Sequence, residues 1–266
     1  MFLISKLLPF LAAASLIHGC ASFAVVPAAL ESMYFEPGAI AKSAYLIARY
    51  HPFGEFHYRG VNPAEISSEQ MDQPIIVCLH GSGGDAATFV PLIDHIRDNP
   101  HTRDAVIYAL DKANDYRSIC EFFNSLVEPY ALQGKELKVI FVGHSAGGTI
   151  ASLFAYRYHK HPINAEHRLN VSGIIAIASR LSCGSSDVQQ SCEGIFAELD
   201  RERVKSTIPL YSILAENDYR VPVQVSNVAI PANTFMVPDT NHIGIIYNER
   251  ALGSVDEILS RYFSAR

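Results

Sequence analysis

The feature that most constrains the fold is a series of short apolar runs separated by segments with helical spacing. Residues 75–81 (IIVCLHG) and 137–143 (LKVIFVG) are the clearest runs, and each ends at a glycine. Neither run alternates apolar with polar residues, so both faces of each strand are expected to be buried, as in a parallel sheet covered by helices. Further strands are predicted at residues 105–110, 172–179, 208–215 and 233–239.

Segments between the runs carry apolar residues at helical spacing. They lie at residues 86–97, 118–132, 147–158 and 254–263. Strands that alternate with helices form βαβ units, so the sequence predicts a doubly wound α/β fold, with a mainly parallel sheet and helices on both faces. Ligands bind at the carboxyl ends of the strands in such folds, and candidate catalytic residues should therefore follow a strand directly.

Composition favours one large domain. The chain has 266 residues, of which 49% are hydrophobic, enough for a substantial core. We expect a signal peptide at residues 1–19, an extension at 20–72 that packs on or tethers the domain, and the α/β domain at 73–266. The net charge of −6 and the lack of a basic run argue against a nucleic-acid partner.

The amino-terminal segment has the pattern of an export signal. Lys6 precedes an apolar run at residues 7–17, which is too short to span a bilayer comfortably and suits a signal-peptide core. Its end, LIHGC, resembles a bacterial lipobox, which implies that Cys20 is lipidated and holds the mature protein on a membrane. The predicted location is then the periplasm or the outer membrane. His18 is unusual before the glycine, so ordinary secretory cleavage stays open as the alternative.

Ser145 is the candidate nucleophile. It lies at the centre of GHSAGG, directly after the predicted strand at 137–143 and before a predicted helix. A chain that reverses so sharply strains the central residue and crowds its neighbours, which explains Gly143 and Gly147. This strand–turn–helix context is typical of a nucleophile elbow, with the hydroxyl exposed at the helix amino terminus.

A serine needs a base to activate it, and position in the chain separates the histidines. His242 follows the last predicted strand and is the predicted base. His144 is next to the nucleophile, but its side chain should leave the elbow in another direction, so we expect it to pack. His80 ends an earlier strand and belongs to a different motif.

The acid should lie between the serine and the histidine in sequence, after the penultimate strand. The segment ENDYRVP offers Glu216 and Asp218 at that point. Asp218 is the predicted acid and Glu216 the alternative. Asp239 is expected to be a turn or cap residue.

From residue 73 onwards the chain resembles α/β-hydrolases of the lipase and esterase type, through LHGSGG, GHSAGG, ENDYRVP and NHIGIIY. The resemblance implies an oxyanion hole formed by two backbone N–H groups, those of Ser82 and Ala146. It implies no metal and no organic cofactor. About two dozen residues, 180–207, separate two of the predicted strands, which leaves room for only a small cap.

The predicted function is an exported serine hydrolase that cleaves carboxylic esters, including lipid esters, through an acyl-enzyme. The alternatives are a thioesterase or acyltransferase with the same triad, or a noncatalytic binding protein on the same fold. The expected partner is a small-molecule or lipid acyl ester.

Cysteine positions make one further prediction. Cys183 and Cys192 flank a polar loop and can form a disulfide in an oxidising compartment, or stay as two thiols if the chain is not exported. Cys78 lies in an apolar run and is expected to be a small buried hydrophobe.

Overall fold

The structure is a computed structural model that describes residues 41–42, 58–59, 62–111, 116–160, 169–182, 194–226 and 231–263. The predicted signal peptide, Cys20, Cys183 and Cys192 lie outside the described residues. The lipidation and disulfide predictions, and the limits set for signal peptide, extension and domain, therefore stay predictions.

A seven-stranded sheet forms the centre of the fold, in the order β1-β3-β2-β4-β5-β6-β7. Six strands are parallel, and the short β1 pairs antiparallel with β3 at one edge. The strands are β1 (Tyr58–Arg59), β2 (Ile75–Leu79), β3 (Ile107–Leu110), β4 (Leu137–His144), β5 (Leu169–Ile177), β6 (Leu210–Ala215) and β7 (Thr234–Val237).

Helices connect the parallel strands. They are α1 (Val90–Asp98), α2 (Tyr116–Leu132), α3 (Ala146–Lys160), α4 (Ile195–Arg203), α5 (Val223–Ser226) and α6 (Glu249–Phe263), and short 3-10 turns include Ala86–Phe89 and Gly244–Tyr247. Helix α6 begins five residues before its predicted start because the Asn248 side chain caps it, accepting a hydrogen bond from the Arg250 N–H at 2.9 Å. No described helix is long and apolar enough to cross a membrane.

Apolar side chains on both faces of the sheet produce two cores. In β4, Val139 and Phe141 join the core covered by α2 and α3, while Ile140 and Val142 join the core covered by α1 and α6. Both faces are thus buried, which is why the strands lack polar alternation. The predicted α/β fold with helices on both faces is confirmed.

The order of the strands determines which edge of the sheet is expected to carry the functional site. The chain runs from β2 outwards to β3 and then returns to β4 on the other side of β2. The connections after β2 and β4 therefore leave the sheet side by side and in opposite directions, and a crevice opens at the carboxyl ends of these strands. The predicted oxyanion loop follows β2, and Ser145 follows β4.

Candidate active site

Ser145 lies in a turn between β4 and α3 that has an unusual backbone conformation. Its φ is 54°, in the left-handed region that non-glycine residues seldom adopt. The turn is held because the Ser145 N–H donates to the Ile177 carbonyl at the end of β5, at 2.9 Å. Strain of this kind persists where surrounding structure enforces it, and here it directs one hydroxyl out of the sheet edge.

Two glycines allow the turn to fit against the neighbouring strands. A Cβ atom on Gly147 would stand 1.9 Å from the Leu79 carbonyl oxygen, and one on Gly143 would stand 2.4 Å from the Gly148 Cα. Both obstacles are backbone atoms, which cannot move aside as a flexible side chain can. Gly147 is thus required by the close approach of α3 to β2, and Gly143 by the close approach of α3 to the end of β4.

The side chains of Ser145, His242 and Asp218 form one hydrogen-bonded chain. Nε2 of His242 lies 2.9 Å from Oγ of Ser145, and Nδ1 of His242 lies 2.8 Å from Oδ2 of Asp218. An ionised carboxylate only accepts, so Nδ1 carries the proton and Nε2 is left to accept the proton of the serine hydroxyl. The side chains of His242 and Asp218 are 4% and 2% exposed, so water competes little for the contact between them.

The loop after β6, which contains Glu216 and Asp218, determines which carboxylate contacts His242. The second oxygen of Asp218, Oδ1, accepts from the N–H groups of Arg220 and Val221 at 2.9 and 2.8 Å, which orients the carboxylate. Glu216 is exposed, and its Oε2 accepts from the Asp239 N–H at 3.0 Å. The structure thus brings Asp218 to His242, whereas Glu216 tethers the turn at Asp239.

The loop after β2 lies against the elbow. A Cβ atom on Gly81 would stand 2.8 Å from the Cβ of Ser145, so only a glycine lets the loop come so close. Ser82 follows and is exposed, and Ala146 is the first residue of α3. The two residues predicted to form the oxyanion hole therefore lie on adjoining segments beside the Ser145 side chain.

His80 lies between the loop after β2 and the residue that follows β3. It is 2% exposed, with Nδ1 located 2.7 Å from the Gly81 carbonyl oxygen and Nε2 located 2.9 Å from the Asp111 carbonyl oxygen. The imidazole thus connects the loop after β2 to the residue that follows β3.

His144 makes a contact that the sequence did not reveal. Its Nε2 lies 2.8 Å from the carbonyl oxygen of His242, and the two rings lie 5.1 Å apart. Burial, followed by the nearby His242, lowers the pKa of His144 from 6.5 to about 3, so the ring is neutral near pH 7. The sequence pattern predicted packing alone, and no local signal near His144 indicates a partner so distant in the chain.

The described residues between β5 and β6 are held to the rest of the fold by side-chain contacts. The described part contains α4, whose Glu198 accepts two hydrogen bonds from Arg157 of α3, at 2.7 and 2.6 Å. At the start of α4, the Arg180 guanidinium lies 4.3 Å from the centre of the Phe196 ring. The Arg157–Glu198 pair joins the cap helix to α3, and the Arg180 contact joins it to the segment that follows β5.

The arrangement has the geometry needed for nucleophilic chemistry at a hydroxyl. An imidazole between a hydroxyl and a carboxylate can remove the hydroxyl proton as the oxygen attacks, and the carboxylate stabilises the resulting imidazolium. Among the described residues, no group of three or more His, Cys, Asp or Glu side chains is arranged to hold a metal ion.

Comparison with known families identifies the chain. The profile of the class 3 lipases matches residues 70–218, more than half of the chain, and the chain belongs to this family. The matched region contains Ser145 and ends at Asp218. No curated protein matches the chain in a sequence search.

Three solved structures with the same fold are described as hydrolases or esterases. A protein from Thermoplasma acidophilum described as a predicted CIB-like hydrolase is 14% identical, with a TM-score of 0.50 over 77% of this chain and 91% of that one. Carboxylesterase CesB from Bacillus subtilis is 13% identical, with a TM-score of 0.50 over 85% and 97%. Esterase B from Lactobacillus rhamnosis, inhibited by a tributyrin phosphonate, is 14% identical, with a TM-score of 0.50 over 92% and 96%. At these identities the likeness establishes the α/β-hydrolase fold.

Proposed function

We propose that this member of the class 3 lipase family is an exported serine hydrolase that cleaves carboxylic esters, including lipid esters, through an acyl-enzyme. One observation carries the proposal. Three loops at the carboxyl edge of the sheet bring the Ser145 hydroxyl within 2.9 Å of the His242 imidazole, which in turn lies 2.8 Å from the Asp218 carboxylate.

Acylation follows from the proton positions in this chain. As Oγ of Ser145 attacks the ester carbonyl carbon, its proton passes to Nε2 of His242, and the buried Asp218 carboxylate stabilises the imidazolium. The carbonyl oxygen becomes an oxyanion, which the N–H groups of Ser82 and Ala146 receive. One such donor typically contributes about 3 kcal/mol to transition-state stabilisation. The bond to the leaving alcohol then breaks, and His242 returns the proton to the alcohol oxygen.

Deacylation repeats these steps with water. His242 accepts a proton from a water molecule as its oxygen attacks the acyl carbon, a second oxyanion forms, and Ser145 leaves with the proton returned by His242. The acid product and the free enzyme result. Every proton transfer uses a side chain of the triad.

The size of the cap favours a substrate whose acyl group is not enclosed in a long tunnel. Helix α4 is nine residues long and is clamped to α3 by the Arg157–Glu198 pair. Residues 180–207 are too few for a large lid domain, so we expect the edge of the sheet to be accessible to short acyl esters or to a lipid presented at a membrane surface. We propose these two groups as the substrate class.

Location is a separate part of the proposal. The apolar run at residues 7–17 and the Gly19-Cys20 pair support export, with lipid attached at Cys20. The several acyl chains of a bacterial lipoprotein hold a protein firmly, whereas one chain gives marginal anchoring. Expressed in a bacterium, the Cys20→Ser variant should be released from membranes or remain unprocessed. If the variant fractionates and matures as the wild type does, the lipoprotein proposal is wrong and ordinary secretion is the remaining explanation.

An activity-based probe tests the chemistry. A fluorophosphonate should label the wild type, and Ser145→Ala should abolish both labelling and ester hydrolysis. Ser254→Ala is the matched control, because its hydroxyl bonds only a carbonyl within α6, at 2.9 Å, and it should be labelled like the wild type. Labelling retained in Ser145→Ala overturns the nucleophile, and an unlabelled wild type supports the noncatalytic alternative.

A panel of substrates then separates the acyl chemistries. Esters with acyl chains of two to sixteen carbons, each paired with its thioester, report chain-length preference and leaving-group preference together. Esters hydrolysed at rates equal to or above those of the paired thioesters support the proposal. A large preference for thioesters, or transfer to an added alcohol in place of hydrolysis, favours the thioesterase or acyltransferase alternative.

A further inference from the structure

We propose that His144 is a positioning residue for the catalytic base, which it holds by donating a hydrogen bond from Nε2 to the backbone carbonyl of His242. The inference rests on the proposed function, because it assigns His242 as the base. His144 acts through His242 and is assigned no contact with substrate.

The contact joins the two loops that must stay in register for proton transfer. His144 is the last residue of β4, one position before Ser145, and His242 lies in the loop after β7. The Nε2–oxygen distance is 2.8 Å across 98 positions of sequence. Both residues are buried, at 8% and 4% exposure, so water does not replace the bond.

The chemistry of the two atoms defines the direction of the bond. A carbonyl oxygen has no proton, so Nε2 of His144 must carry one and donate it. The neutral ring needs no further proton, and burial makes a second one unfavourable because the pKa of His144 is lowered to about 3. Charged or titratable groups that act on His144 are His242, Asp218 and Arg220. A neutral His144 adds no positive charge beside His242 when that ring becomes an imidazolium.

His144 also adjoins the third loop of the site. A Cβ atom on Gly81 would stand 3.3 Å from its Nδ1, so the ring fills the space between the loop after β2 and the base loop. The imidazole therefore lies beside the loop of Ser82 and contacts the backbone of His242. The end of β4, which precedes the nucleophile, thereby fixes the position of the His242 backbone.

Loss of the bond should affect the chemical step rather than substrate binding. The His242 ring must meet Ser145 on one side and Asp218 on the other, so a shift of its backbone lengthens at least one of the two contacts. A misplacement of about 1 Å can lower a rate by about 100-fold. Substrate binding uses other surfaces, so KM should change little.

Three variants test the proposal. His144→Leu removes the donor at similar volume, and we expect kcat to fall about 10- to 100-fold while KM stays within about twofold. His144→Gln carries an amide N–H that can occupy the place of Nε2 and should recover most of kcat. Thr149→Val is the matched control, because it removes a buried donor to another loop carbonyl, that of Arg180 at 2.7 Å, without touching the triad. Its kcat should stay close to wild type.

A spectroscopic readout separates this inference from the proposed function. The proton shared by His242 Nδ1 and Asp218 gives a far-downfield proton NMR signal whose presence does not require activity. The signal should persist in the wild type, His144→Gln and Thr149→Val, and broaden or vanish in His144→Leu. If His144→Leu does not fold, His144→Asn replaces it, because the shorter amide does not reach the carbonyl.

Three results would overturn the proposal. The first is that His144→Leu, or His144→Asn in its place, leaves both kcat and the downfield signal unchanged. The second is a His144→Gln enzyme that is as slow as that variant. The third is a loss of kcat in Thr149→Val that equals the loss in His144→Leu. A wild type that shows the downfield signal but hydrolyses no ester would instead count against the proposed function, with the His144 bond unaffected.

Discussion

Asp218 and His242 face each other at 2.8 Å with almost fully buried side chains, while Glu216, two residues earlier, is exposed and bonds the backbone of Asp239. Two carboxylates at the end of one strand are thus directed to different tasks. The turn at Asp218 makes the difference, because two N–H groups beyond it hold one oxygen and leave the other for the imidazole.

The first prediction compares these two carboxylates. Asp218→Asn should lower kcat/KM for an ester by about 10³- to 10⁴-fold, because an amide can present an N–H to Nδ1 and favour the wrong tautomer of His242. Glu216→Gln keeps an oxygen that can accept from Asp239 and should stay close to wild type. Steady-state kinetics with both folded variants decides between them. Equal losses, or a larger loss from Glu216→Gln, would make Glu216 the acid.

A second prediction concerns the glycines of the elbow. Gly147→Ala should reduce the free energy of unfolding by about 3 kcal/mol or more, because its Cβ would meet the Leu79 backbone at 1.9 Å. Gly253→Ala is the control, since nothing lies within 4 Å of a Cβ placed there, at an exposed position of α6. It should increase stability by about 0.5–1 kcal/mol. Urea denaturation measures both, and a well-folded Gly147→Ala protein would contradict the packing described for α3 and β2.

The third prediction follows from the lowered pKa of His144. Its folded value is about 3, against an ordinary value of 6.5, so between these values the unfolded chain binds more protons than the folded one. This contribution to stability is fully present above about pH 6.5 and is lost as the pH falls towards 3, by up to about 1.4 kcal/mol per pH unit.

The same prediction has an internal control. His144→Gln has no group that titrates at this position, so its stability should fall less steeply between pH 6.5 and 4.5. Urea unfolding of both proteins across this range gives the two slopes. Parallel slopes would show that His144 does not titrate differently in the folded and unfolded chains.

A fourth prediction concerns the cysteines of the cap loop. If the chain is exported, Cys183 and Cys192 should form a disulfide, detected as a linked peptide in mass mapping without reduction. Cys78 serves as the internal control, because it is fully buried and burial raises its thiol pKa, so it should resist alkylation in the folded protein. Two free thiols at 183 and 192 in periplasmic material would contradict the pairing.

The sequence by itself was sufficient to predict the parallel sheet, most of its helices and the elbow at Ser145. Those features depend on local chemistry: runs without polar alternation are buried on both faces, and a strand–turn–helix reversal requires glycine where backbones approach. The capped start of α6 at Asn248 was the main helix boundary missed, because a cap depends on one side chain rather than on periodicity.

Only the tertiary structure decided which side chains meet at the site. Strand order and chain order favoured Asp218 and His242. The choice of Asp218 over Glu216 depends on which carboxylate lies within hydrogen-bond distance of His242, and only the folded loops determine that distance. The bond from His144 to the His242 carbonyl joins residues 98 positions apart. No local pattern encodes it, because it arises when β4 and the loop after β7 converge at one edge of the sheet.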